Sequence, residues 1–308
     1  MKDIKNASGQ SAYMKKQRLA PYFFVAPYFV IFAAFSIFPI IFSGYISLHD
    51  WQGYNEPVFI GLKNYFEVLK DARFYKALGN TFLLMAMIIP VQLVLGFLIA
   101  TILNEKIMPM KKTFRLLNFL PYLTTSIALG VIFGILFDSS FGTVNTVLKS
   151  FGLKGVNWTK EAGPARLLIA FVTVWKYAGY TAVLFMAGIT NINTDIYEAC
   201  EIDGASFWQR VRYITIPLLK PVTIFVVLST LIGCFQIFEE PFMIFYVSAG
   251  KMVGGPDNSV LTAVWLFYDT AFNNQMRNGY ASAIAVCLVA VIAAVSYIIN
   301  RFLNGKGE

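Results

Sequence analysis

Six stretches of about twenty mostly apolar residues, at 22–48, 79–103, 117–137, 166–189, 222–247 and 281–303, set the outer limits on what this chain can fold into. An apolar helix of that length crosses roughly 30 Å of hydrocarbon at 1.5 Å per residue. No compact soluble domain hides so much apolar surface. Of the 308 residues 57% are hydrophobic and only 14% charged, which points to a bilayer as the solvent. The first stretch is too long for a secretory core and has no small-residue cleavage site near its end, so it is expected to remain as a membrane helix. The reading is an all-α membrane protein with six transmembrane helices: a segment 1–20, then one transmembrane domain over 21–308.

The net charge of +8 does not argue for nucleic acid, because the bases cluster in loops beside apolar runs. Lys2, Lys5, Lys15, Lys16 and Arg18 precede the first stretch; Lys106, Lys111, Lys112 and Arg115 sit in the second loop. The loops at 49–78, 138–165 and 248–280 mix their charges more evenly. Positive residues stay on the cytoplasmic side, so the N-terminus is expected inside, and six crossings return the C-terminus there, with Arg301 and Lys306 in agreement. The expected location is a bacterial cytoplasmic membrane. Pro39, Pro90, Pro109, Pro121, Pro217, Pro221 and Pro241 lie in or beside the spans. Kinks or breaks are expected where neighbours or a water-filled cavity satisfy the freed carbonyls.

Little in the chain resembles catalytic chemistry. Cys200, Cys234 and Cys287 lack CxxC spacing and read as packing residues, and His49 is alone. No GxxxxGK[ST] loop occurs, so ATP is not bound by that route and no cofactor or metal is expected in this chain.

Between the fourth and fifth stretches the polar segment 190–221 must lie outside the lipid, on the cytoplasmic side by the charge count. Asn193 or Thr194 can cap a helix starting near Asp195, with Glu198 also favouring its N-terminal dipole. Gly204 permits a sharp turn at positive φ, and Ala205 and Ser206 open a second helix through Trp208, Val211 and Arg212. Pro217 is expected to turn the chain into the membrane. The product is a helix–turn–helix knob with Glu198, Glu201 and Asp203 as charged contacts.

This segment resembles the EAA loop of ABC importer permeases, whose pattern is Glu-Ala-Ala, three residues, Gly, nine residues, then Ile-x-Leu-Pro. Glu198-Ala199-Cys200, Gly204, Ile214 and Pro217 match its spacing, with Cys200 replacing an alanine and Ile216 a leucine. Tyr197-Glu198-Ala199, Ile202-Asp203-Gly204-Ala205 with Trp208, and Gly254-Gly255-Pro256-Asp257 are similar to carbohydrate-uptake permeases, in particular those related to the larger maltose permease subunit. The resemblance extends from about residue 18 to the C-terminus. It implies a type I importer permease fold and an ATPase-coupling loop that includes Glu198, Ala199, Cys200, Glu201, Asp203, Gly204 and Ala205. The implied partners are a second homologous permease, two cytoplasmic ATPases that hold the ATP and Mg, an external sugar-binding protein, a saccharide and membrane lipid.

Polar residues within a span mark a translocation path by default. Val222–Phe238 contains eleven Val, Ile, Leu or Phe residues, worth about −3 to −7 kcal/mol for insertion, whereas one mid-membrane carboxylate costs about 2.5–3.5 kcal/mol. Glu239 and Glu240 therefore face either an aqueous cavity or the outer boundary; Glu240 lies about 27 Å along from Val222. Helical spacing puts Gly233, Gln236, Ile237 and Glu240 on one face. The family resemblance implies sugar contacts at Gln236 and Glu240, with Gly233 leaving room, and at Trp175, Tyr177 and Tyr180 on the fourth span. Packing between helices is the competing reading for these aromatics. Lys176 either pairs with a membrane acid or snorkels outward. Two carboxylates on the path would favour a neutral saccharide. The rival function is a stand-alone ion-coupled transporter, for which Lys176 and Glu239/Glu240 are the relay candidates and the polar loop has no use.

Overall fold

A computed structural model describes residues 21–105, 110–248, 250–273 and 276–305. The segment 1–20 with its basic residues, Lys106, Pro109 and Lys306 lie outside the described residues. Four helices are each long and apolar enough to cross a bilayer, and two further spans are bent helix pairs, six in all when each pair is counted once.

Helix α1 (Pro21–Ile46) is apolar on every side, and its most apolar stretch buries nothing against the rest of the chain. Such a helix needs lipid or another chain as its neighbour. It leads into a two-residue antiparallel hairpin, β1 (His49–Asp50) with β2 (Val58–Phe59), in which His49 pairs with Phe59. The short α2 (Lys63–Val68) follows, and its Asn64 donates to the carbonyls of Ser47 and His49 at 2.9 Å.

Helix α3 (Ala72–Asn104) begins where the Asp71 side chain accepts from the Arg73 amide. Its 33 residues run about 50 Å, longer than the hydrocarbon layer, and it starts seven residues before the apolar stretch that announces it. Pro90 does not break it. The third span is α4 (Lys111–Leu123) and α5 (Ser126–Leu136), which meet at 92°. Pro121 lies in the last turn of α4, and Thr125 caps α5 by accepting from Ala128. After the short α6 (Thr143–Ser150), helix α7 (Ala162–Thr190) is the most deeply buried of the four unbroken spans. Gln92 of α3 donates to Thr181 of α7 at 2.8 Å. The backbones of α4 and α7 come so close that a Cβ on Gly179 would stand 1.7 Å from the Asn118 carbonyl oxygen.

The pair α8 (Thr194–Ile202) and α9 (Phe207–Leu218) precedes α10 (Lys220–Phe235), with a 70° bend between α9 and α10. A short α11 (Glu239–Pro241) continues into a π-helical turn at Phe242–Ser248, and α12 (Ala263–Tyr268) into another at Asp269–Asn273. Helix α13 (Asn278–Asn304) ends the described chain. One large core cluster joins α3, α7, α10, α12 and α13 around Trp265, Phe235 and Phe245. The Gly-Gly-Pro-Asp motif forms a tight turn at positive φ, and Asn80 of α3 donates to the carbonyls of Asn258 and Leu261 at 2.7 and 3.0 Å. Arg277 at the start of α13 grips Glu67 of α2 with two hydrogen bonds of 2.6 and 2.7 Å, which hold that carboxyl below the usual carboxylate range.

Candidate functional site

The site residues named from the sequence fall in two places among the described residues: the knob between α7 and α10, and a cavity within the bundle. In the knob, the Asn193 side chain accepts from the Asp195 amide and starts α8. Gly204 turns the chain at φ +75°, a conformation an L side chain resists. Ser206 and Gln209 then form a capping box at the start of α9, each side chain bonding the other's backbone. Two cross-links make the pair one body: Arg210 pairs with Glu201, and the Tyr197 and Thr215 hydroxyls lie 2.9 Å apart. Glu198, Ala199 and Asp203 are exposed, while Cys200 and Ala205 are half-buried. Glu201 is exposed as well, and its carboxylate is also engaged by Arg210. Pro217 differs from the expectation: it lies within α9, and the chain bends two residues later at Leu219, where Pro221 then sits in the first turn of α10. Ile202 and Trp208, named from the sequence only as motif residues, are 87% and 63% exposed on the knob. Apolar side chains bared on a water-facing surface signal a docking face.

In the bundle, a cavity of about 510 Å³ is bordered by Tyr177, Tyr180, Gly233, Gln236, Ile237 and Glu240, six of the seven path residues named from the sequence. The geometry that gathers them is not the expected one. Helix α10 stops at Phe235, and Phe238 has φ −146°, so Gly233, Gln236, Ile237 and Glu240 do not share a continuous helical face. Pro241 explains the break, since it lacks the N–H that would bond the Ile237 carbonyl and its ring would crowd that oxygen. Thr262, which caps α12, donates its hydroxyl to the orphaned Ile237 carbonyl at 2.6 Å instead. A broken span lining a cavity is the arrangement a membrane tolerates. Gly233 has open space where a side chain would be.

The carboxylates divide. Glu240, 4% exposed, receives a hydrogen bond from Lys176 Nζ of α7 at 2.8 Å, so Lys176 pairs rather than snorkels. Lys176 also donates to Ser126 Oγ at 3.2 Å, and Ser126 in turn donates to Glu239. Glu239 lies on the cavity wall, and among the described residues no cation stands at salt-bridge distance from it, although Lys176 acts on it through space. The three charges sum to one negative charge at the wall.

Trp175 is not among the residues that line the cavity; its ring meets Phe133 edge-on, with ring centres 5.3 Å apart. Tyr122 is the residue the sequence reading missed. It stacks on Tyr180 with ring centres 4.8 Å apart and meets Tyr177 edge-on at 5.7 Å, which completes a tyrosine wall. Only its place directly after Pro121, at a helix end, could have marked it. Gln92 adds a polar group from α3.

Comparison with known proteins agrees with this geometry. Residues 69–306 match the family described as binding-protein-dependent transport system inner membrane component. The chain is 33% identical to the probable ABC transporter permease protein YurN of Bacillus subtilis, over 96% of this chain and all of that protein. It is 34% identical to the arabinooligosaccharides transport system permease protein AraP of the same organism, over 98% of this chain and 94% of the relative. The lactose transport system permease protein LacF of Rhizobium radiobacter is 31% identical over 89% and 91% of the two chains. In fold it is similar to a chain of a bacterial ABC transporter involved in the import of the acidic polysaccharide alginate, with a TM-score of 0.80 at 19% identity, covering 97% of this chain and 100% of that one. With the six-span bundle, the broken fifth span and the knob, these matches show that the chain belongs to the inner-membrane permease components of binding-protein-dependent ABC transport systems.

Proposed function

We propose that this permease carries a neutral saccharide, delivered by an external binding protein, through a path it forms with a second, homologous permease. The observation that carries the substrate class is the cavity wall. Tyr122, Tyr177 and Tyr180 offer ring faces that suit the apolar faces of a sugar ring, while Gln236, Gln92 and Glu239 offer hydrogen-bonding groups for its hydroxyls. The residual negative charge disfavours an anionic sugar. The relatives named for arabinooligosaccharides, lactose and diacetylchitobiose support the saccharide reading.

The work comes from outside this chain. Two cytoplasmic ATPases, which hold ATP and Mg, grip the 194–218 knob at Glu198, Ala199, Asp203 and the exposed Ile202 and Trp208. Glu201, Cys200, Gly204 and Ala205 hold its shape. Closure of the ATPases on ATP then moves the knob as a rigid body, because Arg210–Glu201 and Tyr197–Thr215 leave the two helices little freedom to shift separately. The distribution of lysine and arginine supports a cytoplasmic knob. Uptake that persists after the ATPases are removed would favour an ion-coupled carrier instead.

Two outcomes test these roles. Gly204→Asp forces a non-glycine residue to φ +75°, at about 1–2 kcal/mol of strain, and adds a charge at the tip. The variant inserts normally but no longer co-purifies with the ATPases; ordinary co-purification would remove the knob from the coupling role. Gln236→Leu removes a hydrogen-bonding group from the cavity without altering side-chain volume greatly. It lowers uptake about tenfold, the value of one hydrogen bond left unmade, while the ATPases remain bound. Wild-type uptake in vesicles would make Gln236 a packing residue only.

A further inference from the structure

The cavity described above is not the end of the open space. A second cavity of about 650 Å³ adjoins it and shares Tyr122, Tyr177, Phe238 and Glu239 as walls. Glu240 borders the first and Lys176 the second, so the buried ion pair stands in the partition between them. Each volume lies within the roughly 300–1,000 Å³ that encloses a small molecule.

The second cavity repeats the chemistry of the first with different residues. Phe238, Phe242 and Tyr268 form a ring cluster, with centres 4.8 Å apart for Phe238–Tyr268, 5.0 Å for Phe238–Phe242 and 5.3 Å for Phe242–Tyr268. The same cavity is lined by Thr124, Ser126 and Lys176. The Lys176 ammonium is engaged by Glu240 and Ser126 and lies 5.3 Å from the centre of the Tyr177 ring, so it acts on the cavity as a fixed positive charge in the wall. Glu239 receives the Ser126 hydrogen bond and keeps acceptor capacity toward both cavities. A lone hydrophobic pocket would lack the polar rim, and a solvent channel would not need the clustered rings.

The geometry points to a second saccharide subsite in tandem with the first, so that the transported solute is an oligosaccharide whose neighbouring rings occupy the two cavities across the Tyr177–Phe238 constriction. The inference rests on the saccharide reading above and narrows it. Phe242, Tyr268 and Thr124 belong to the outer member of the pair alone, which makes chain-length preference the property they control.

The test uses the complete importer with its binding protein in proteoliposomes. The probes are mono- to tetrasaccharides of glucose, arabinose and N-acetylglucosamine, and the readout is the ratio of uptake of the longest to the shortest transported member. Tyr268→Ala removes a ring face, and Thr124→Trp fills the same cavity. Each is expected to lower that ratio about three- to tenfold, the worth of one aromatic contact, whereas Tyr268→Phe keeps the ring and the wild-type ratio. ATP hydrolysis without saccharide confirms that each variant assembles, and the second alteration stands in where the first does not. An unchanged ratio in an assembled variant, equal losses at every length, or transport of monosaccharides only would overturn the second subsite and leave the saccharide reading intact. Transport of no saccharide in the panel would overturn both.

Discussion

Lys176→Met is expected to cost about 3–5 kcal/mol of stability, because it leaves the Glu240 carboxylate buried with no cation beside it. Both partners are almost fully enclosed, with side-chain exposures of 7% and 5%, so water offers the abandoned charge little relief. Ser126 would lose one hydrogen-bond donor as well, and Glu239 would feel a second negative charge with nothing to offset it. The expected result is a large drop in thermal stability in detergent and poor accumulation in the membrane. Lys176→Met combined with Glu240→Gln removes both charges at similar volume and should recover most of the loss, since a buried ion pair replaced as a unit is often neutral in stability. Equal behaviour of the single and double variants would show that the pair does not hold the helix break against α7.

Gly179→Ala is expected to be nearly as damaging for an unrelated reason. One methyl group at this position would meet the Asn118 carbonyl oxygen at 1.7 Å and its carbon at 2.5 Å, both of them backbone atoms that no side-chain rotation can clear. Helix α4 must therefore withdraw from α7. Overpacking of this kind costs about 1–3 kcal/mol or more, and the withdrawal would carry Tyr122 off Tyr180. Loss of uptake together with lower thermal stability is the expected outcome. Gly163→Ala, in the first turn of the same helix and facing open space, is the control and should be close to wild type. If Gly179→Ala matched that control, the close approach of the two helices would be wrong.

The knob was legible in the sequence because every signal in it is local. A cap at Asn193, a left-handed glycine at 204 and a serine–glutamine box at 206 and 209 act within one or two turns of the residues that carry them. The cavity was legible in membership but not in construction. Polarity inside an apolar run singled out Gln236 and Glu240 correctly as wall residues, yet the helical face drawn through them ignored Pro241 four residues beyond Ile237. Trp175 and Tyr177 look alike as membrane aromatics; only the packing of α7 against α5 turned one to Phe133 and the other to the cavity.

Chain chemistry alone determined the number of crossings, the polar knob and the lack of a phosphate-binding loop, since the cost of placing charge or unbonded backbone in lipid acts on each segment separately. Tertiary structure alone decided that Lys176 would meet Glu240 from 64 residues away, that Tyr122 would close the tyrosine wall, and that Thr262 would take the carbonyl freed by proline. Those pairings depend on which helix faces come together, a matter of packing between distant segments that no single stretch of sequence records.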